Sequence, residues 1–185
     1  MYYHLFVLAV FVGGLSGCGR ASKTEPAAQA SKDLPAEIAI VQADARRLQN
    51  AIRDGEKAAF IELTHPIIIE SMGGPEQAES DLDDALADMQ SAGMVIESMT
   101  FPADPRFFSS DTTDFVFVPM LTTFTVGGQR IESLSYLLGA KPRQTSKWTY
   151  IDGSQIELQN QNVDTWFPDF PAGQTYPDTY KKTLP

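Results

Sequence analysis

The hydrophobic period changes once along this chain, near Gly93, and that change constrains the fold more than any other feature. Before it, apolar residues recur every three or four positions, as on one face of a helix. From Met94 onward, apolar and polar residues alternate, as they do in strands. Helices followed by strands are typical of an α+β domain, in which the helices pack on one face of an antiparallel sheet.

The helical half predicts three helices and one extra helical turn. Asp33 is positioned to cap the first helix, and Gly55 ends it. Pro66 breaks the chain after the second helix, and Pro75 suits the first position of the third. The predicted helices cover residues 34–52, 59–63 and 75–92, and the extra turn covers residues 66–72.

The second half predicts four antiparallel strands. Gly127-Gly128 is a strong hairpin signal between the two longest of them. The predicted strands are Met94 to Phe101, Asp114 to Val126, Gln129 to Ala140 and Lys147 to Ile151. A proline-rich connection through Arg106 and a turn at residues 141–146 separate them.

Charge and residue counts exclude several classes of function. The chain has 14 basic and 24 acidic residues, a net charge of -10 and no basic run, so nucleic acid is not an expected partner. Cys18 is the only cysteine, and His65 is the only histidine besides His4. Metal sites and catalytic triads that need two histidines or a second cysteine are therefore excluded, and no metal or cofactor is expected.

The N-terminus indicates export. Residues 5–15 form an apolar run of 11 residues, shorter than the roughly 20 that span a bilayer as a helix. The sequence Leu15-Ser16-Gly17-Cys18 resembles a bacterial lipobox, in which the cysteine is acylated and the leader is removed. The resemblance implies a signal peptide at residues 1–17 and palmitate or a similar acyl chain on Cys18. The alternative is a buried helix with a chance cysteine.

Three further features of the N-terminal region bear on the expected lipoprotein assignment. Residues 1–6 contain no Lys or Arg, so the α-amine and His4 supply the positive charge, unless translation starts upstream. Residues 18–34 are small and polar and predict a flexible tether. Gly19 is not the aspartate that commonly retains lipoproteins in the inner membrane, which favours the outer membrane of the cell envelope.

The order of elements resembles the NTF2-like (SnoaL-like) superfamily over residues 35–158. The resemblance rests on helices preceding the strands and on Lys147-Trp148-Thr149-Tyr150-Ile151-Asp152-Gly153 closing the last strand. It implies a cone with a pocket between the helices and a curved sheet of four or more strands. Some members are isomerases, dehydratases or cyclases, many only bind, and dimerisation through the sheet is common. A cystatin-like roll is the alternative, but it normally has one main helix.

Residues 159–185 form a C-terminal extension with five aromatic residues among several prolines and no clear period. One interpretation is a coil that lies over the sheet and inserts its aromatic rings. The other is a lid or a partner-binding tail.

Five residues are candidates for chemistry. His65, Asp114 and Tyr136 could be catalytic at a pocket mouth, but a structural histidine, an edge charge and a core aromatic explain them as well. Trp148 and Tyr150 could stack a ligand, although we expect the strand to bury one of these rings in the core and to leave the other on its outer face. No catalytic motif of the resembled family is present.

The acidic residues of the third helix could bind Ca²⁺, but they lack the glycine and the final glutamate of an EF-hand loop. They favour a solvated helix face. The residues are Asp81, Asp83, Asp84 and Asp88.

The leading functional hypothesis is a membrane-tethered, non-enzymatic domain that binds a small molecule or an envelope protein. The alternatives are an envelope isomerase or dehydratase that uses His65 or Asp114, and a structural subunit of an envelope complex. An apolar cavity without an unpaired ionisable group would indicate a binder, and one with such a group an enzyme. A core filled by Phe115, Phe117 and Trp148 would indicate a partner module.

Overall fold

The computed structural model describes residues 34–158 and 163–185. The expected signal peptide, Cys18, the tether and the Asp33 cap lie outside the described residues, as do residues 159–162 of the C-terminal extension. Within this described part, no helix combines the length and the apolar character needed to cross a membrane.

The described chain begins with four helices, which correspond to the three predicted helices and to the predicted extra turn at residues 66–72. Their bounds are Leu34–Asp54 (α1), Lys57–Leu63 (α2), Pro66–Ser71 (α3) and Pro75–Ser91 (α4). Gly55 has a φ of 72°, a left-handed conformation that favours glycine and ends α1. Pro66 and Pro75 occupy the first turns of α3 and α4, where a missing N–H leaves no helical bond unmade.

The strands that follow form one antiparallel sheet of six among the described residues, so the α+β class is confirmed. Their bounds are Val95–Thr100 (β1), Arg106–Ser109 (β2), Thr113–Val126 (β3), Gln129–Pro142 (β4), Thr149–Asp152 (β5) and Tyr180–Thr183 (β6). The expected hairpin is also confirmed: β3 and β4 pair along their whole length, and Gly127 and Gly128 turn with φ of 57° and 77°. Positive φ at both positions is what a two-residue hairpin turn requires.

The long β3–β4 hairpin has two halves with different neighbours. We name residues 120–126 and 129–135 the turn half, and residues 113–119 and 136–142 the base half. In the turn half, β1 pairs with β3 and β6 pairs with β4. In the base half, β2 pairs with β3 and β5 pairs with β4.

Helices cover one face of the sheet over the base half. Val116, Val118 and Leu137 are at most 1% exposed on this face. They share a core with buried residues of α1, α2 and α4, which include Val41, Leu48, Leu63 and Leu82. Burial of this apolar surface is the main favourable contribution to folding.

The C-terminal extension covers the opposite face of the base half. Phe115, Phe117 and Leu138 are fully buried there, and the ring of Phe167 lies 5.2 Å from that of Phe115. Phe170 also contacts Phe115, at 5.0 Å between ring centroids. These contacts agree with a segment that lies over the sheet and inserts aromatic rings, and they leave residues 115–118 of β3 buried on both faces of the sheet.

Three sequence expectations need correction. The last strand of the predicted set begins at Thr149 rather than Lys147. The proline-rich connection contains β2, and the C-terminal extension contains a short helix, Val163–Trp166, as well as β6. A further short helix, Gly153–Leu158, follows β5. We number these helices α5 (153–158) and α6 (163–166).

The sequence does not predict β2 and β6, because strands of four residues have too few positions to establish a period.

Candidate functional site

An apolar groove of about 630 Å³ lies between the helices and the turn half of the hairpin. Its walls are the C-terminal parts of α1 and α4, the start of β1 and the final strand β6. We call it the apolar groove. Its apolar lining consists of Ile52, Ala85, Met89, Ala92, Met94, Ile96, Phe124, Val126 and Leu134. The volume lies within the roughly 300–1,000 Å³ typical of sites for small organic ligands.

The groove exists because three small side chains interrupt the larger apolar ones on the helix-facing side of the turn half. Thr122 pairs with Ser133 across the hairpin, and Ser135 lies opposite Met120. At the same face of the base half, Val118 and Leu137 fill the space beneath the helices. Over the turn half, the short hydroxyl side chains and Ala85 of α4 do not fill the space between the helices and the sheet. A cleft therefore remains there instead of a packed core.

The polar groups of the apolar groove lie mainly where it meets solvent or the sheet edge. Asp152 accepts hydrogen bonds from the backbone N–H and the hydroxyl of Ser154, at 2.8 and 2.6 Å, so this carboxylate has partners in the turn after β5. Asp88 is exposed on α4, and Lys181 is exposed on β6. Apolar and hydroxyl side chains make up most of the remaining lining.

A smaller polar cleft of about 260 Å³ adjoins the apolar groove between α1 and β1. We call it the arginine end. It shares Gln49, Ile96 and Thr122 with the apolar groove. Its other lining residues are Arg46, Asn50, Arg53, Glu97, Ser98 and Met99. The register of β1 shifts between Ile96 and Ser98, so Glu97 is an extra residue of a β-bulge, a feature often found beside functional sites.

Two of the three charges at the arginine end are neutralised within the protein. Arg53 pairs with Asp54 at 2.7 Å, and Glu97 pairs with Arg130 at 2.7 Å. A hydrogen bond from Thr125 and the Arg130 guanidinium lower the pKa of Glu97. Arg46 instead lies over the ring of Phe101, 4.6 Å from its centroid, and forms no ion pair with any described carboxylate.

His65 lies away from the groove and has a structural role. Its Nδ1 accepts the N–H of Ile67 at 3.3 Å and so caps α3. The backbone N–H of His65 donates to Tyr150, and its ring packs edge-on against Phe167 at 5.0 Å. Burial lowers the pKa of His65 to about 4, so the imidazole is neutral at physiological pH.

Asp114 belongs to a group of charges at the base of the sheet. It accepts a hydrogen bond from Ser109 at 2.8 Å and lies 3.3 Å from Nε of Arg143. Lys141 approaches it at 3.8 Å and also pairs with Glu37 of α1 at 3.3 Å. This network joins α1 to the base half of the hairpin, and Asp114 does not line either cleft.

Tyr136 is a fully buried core residue on the face covered by the C-terminal extension. Its ring contacts Phe117 at 5.5 Å and Tyr176 at 6.3 Å. A Cβ atom at Gly153 would lie 2.5 Å from Cζ of Tyr136, so only glycine allows this approach. Neither cleft includes Tyr136 in its lining.

Trp148 and Tyr150 are both buried in the core beneath the helices, at 2% and 1% exposure. The expectation that one ring would be exposed was wrong: Trp148 directly precedes β5, and its ring lies in the same core as that of Tyr150. Nε1 of Trp148 donates to Glu37 at 3.2 Å, and the hydroxyl of Tyr150 donates to Asp44 at 3.1 Å. Burial and the Asp44 carboxylate raise the pKa of Tyr150, and burial raises the pKa of Asp44.

The acidic residues of α4 remain a solvated face. Asp83 pairs with Lys57 at 2.7 Å, and Asp81 accepts a hydrogen bond from Gln77 at 2.8 Å. Across the described ranges, no three carboxylate, histidine or cysteine side chains converge in a way that could hold a metal ion.

Comparison with known proteins yields no relative. No protein-family model matches the chain, and neither a curated protein nor a solved structure resembles it significantly.

The lining of the groove was not predicted from the sequence, although one signal was present. Thr122, Ser133 and Ser135 interrupt apolar positions on the helix-facing side of β3 and β4. Polar or small residues on a face that is otherwise apolar mark a place where the core is incomplete. Recognising the interruption required the pairing register, which places the three side chains together.

Proposed function

We propose that this chain is a lipid-anchored NTF2-like module of the bacterial cell envelope that binds a small, largely apolar molecule. The apolar groove carries the proposal: it is of ligand size and is lined by apolar and hydroxyl side chains. The order of helices and antiparallel strands supports the NTF2-like assignment, and the lipobox ending at Cys18 supports the anchor.

Binding is favoured over catalysis by the location of the ionisable groups. Enzymes of the isomerase or dehydratase type need a carboxylate or imidazole at the pocket with a suitable pKa. His65 and Asp44, whose pKa values burial shifts, lie outside the groove lining, as does Asp114. Of the carboxylates that do line it, Asp88 is exposed to solvent and Asp152 accepts two hydrogen bonds from Ser154. Phe115, Phe117 and Trp148 are indeed buried, but they fill the core on opposite faces of the base half and leave the groove open.

Binding in the groove is tested with N-phenyl-1-naphthylamine, a neutral apolar dye whose fluorescence rises in apolar surroundings. The protein is the full chain with Cys18→Ser, which removes the expected acylation site. Ser135→Phe adds a ring inside the groove, and Thr100→Phe is the matched control, because Thr100 is exposed on β1 and lines neither cleft.

We expect saturable binding that Ser135→Phe weakens by about tenfold, which corresponds to about 1.4 kcal/mol, because the added ring occupies volume in the groove. Thr100→Phe should leave binding unchanged. Absence of saturable binding, or equal weakening by both variants, contradicts the proposal.

The anchor is tested separately by metabolic labelling with an alkyne analogue of palmitate in a bacterial host. The unsubstituted chain should incorporate the label, and Cys18→Ser should abolish incorporation, because the thiol is the acceptor of the acyl chain. Label that persists in Cys18→Ser would refute the assignment of Cys18.

A further inference from the structure

We propose that the ligand of the groove is an anionic single-chain amphiphile of the fatty-acid type, with its acidic head at Arg46. This inference rests on the proposed function and adds the class of ligand. Its basis is the contact between two clefts of different character: the apolar groove and the arginine end share Gln49, Ile96 and Thr122. A molecule that occupies both must have an apolar body and a polar head.

The sign of the head group follows from the ion pairs around it. Arg53 and Glu97 are each matched by an opposite charge, Asp54 and Arg130 respectively, at 2.7 Å. Arg46 is the remaining charge at the arginine end and has no carboxylate partner among the described residues. A ligand carboxylate therefore compensates a charge that the protein leaves uncompensated.

Arg46 is also held in a suitable position. Its guanidinium stacks over Phe101 at 4.6 Å, which restricts the side chain while its N–H groups stay available. A planar guanidinium binds a carboxylate through two parallel hydrogen bonds. Gln49 and Asn50, on the same side of α1, add amide donors beside it.

The apolar groove fits the rest of such a molecule. Met89 of α4 and Ala92, which follows that helix, line the groove together with Phe124 and Val126 of β3, so a hydrocarbon chain in it would contact apolar side chains from both elements. Methionine adapts its shape to different apolar ligands, which suits a flexible chain. The burial of hydrocarbon supplies affinity, and Arg46 supplies the preference for an acid.

Because the net charge is -10, a preference for an anionic ligand over a cationic one would distinguish binding at Arg46 from nonspecific adsorption. An acidic protein repels anions at long range and attracts cations. A higher affinity for an acid than for a cation of equal chain length therefore requires a local positive site, and nonspecific adsorption would give the opposite order.

The experiment measures displacement of N-phenyl-1-naphthylamine by three ligands with the same ten-carbon chain: decanoate, 1-decanol and decyltrimethylammonium. The protein is again the full chain with Cys18→Ser. Arg46→Gln removes the proposed contact. Arg47→Gln is the matched control, because the neighbouring Arg47 pairs with Glu62 at 2.5 Å and lines neither cleft.

We expect decanoate to bind most tightly, and Arg46→Gln to weaken decanoate by about fivefold, the effect of one partly exposed ion pair, without changing 1-decanol. Arg47→Gln should change neither ligand. Raising NaCl from about 0.05 to about 0.5 M should reduce the difference in decanoate affinity between the protein that retains Arg46 and Arg46→Gln, because salt screens the contact and acts almost equally on the net charge of both proteins.

The two proposals fail in different ways. If the dye binds in the groove but decanoate and 1-decanol compete equally, or if Arg47→Gln acts like Arg46→Gln, the head-group inference is overturned and groove binding stands. If the dye does not bind, both are overturned.

Discussion

Because His65 is buried in its neutral form, we expect the free energy of unfolding to fall on mild acidification. Burial lowers the pKa of its imidazole from 6.5 to about 4 in the folded chain. The unfolded chain therefore binds a proton more readily than the folded chain between these two pH values. Stability contributed by the neutral imidazole is fully present above pH 6.5 and is lost as the pH falls toward 4.

The size of the loss follows from the same two pKa values. Ideal linkage gives about 2 kcal/mol between pH 7 and pH 5, and about 3 kcal/mol when the histidine is fully titrated. Because the ring is only partly buried, solvent screening reduces the expected loss between pH 7 and pH 5 to about 1 kcal/mol. The desolvated face is the one that packs against Phe167.

The assay is urea unfolding of the full chain at pH 7 and pH 5, compared with His65→Asn. Asparagine retains a cap acceptor for α3 but does not titrate in this range. All other ionisable groups, including Asp44, are common to both proteins and cancel in the difference. We expect the unsubstituted protein to lose about 1 kcal/mol more than His65→Asn. Equal losses, or a smaller loss in the unsubstituted protein, would refute the reasoning about burial.

Three further substitutions test the packing of the core. Gly153→Ala should destabilise the fold by about 2 kcal/mol or more, because its Cβ would lie 2.5 Å from Cζ of Tyr136. A midpoint of thermal unfolding equal to that of the unsubstituted protein would contradict this contact. Tyr150→Phe should cost about 1 kcal/mol and lose its effect in an Asp44→Ala background, as measured by a double-mutant cycle in urea; additive effects would contradict the hydrogen bond. Phe167→Ala should cost about 3 kcal/mol in the same assay, because this ring is 7% exposed against the sheet; a cost near zero would show that the extension does not stabilise the domain.

Much of the architecture could be predicted because it is determined locally. Helix ends at Gly55 and Pro66, and the turn at Gly127-Gly128, depend on backbone preferences of a few residues. The site could not be predicted in this way. Arg46 of α1 and Phe124 of β3 line adjoining clefts only because the helices and the hairpin pack together.

Candidate chemistry in the sequence proved a poor guide to the clefts. His65, Asp114 and Tyr136 were singled out for their functional groups, yet each has packing or ionic partners elsewhere in the fold. Residue type indicates what a side chain can do, whereas its neighbours determine what it does. The hydroxyl of Tyr150, for example, meets Asp44, 106 positions away along the chain.

The sequence by itself determined the order of helices and strands, the hairpin, and the absence of sites that need paired histidines or cysteines, because period, turn chemistry and residue counts are local properties. Only the tertiary structure decided that the C-terminal extension covers the second face and that a groove opens over the turn half. Both depend on which side chains from distant segments fill a shared volume, and the pattern within one segment does not contain that information.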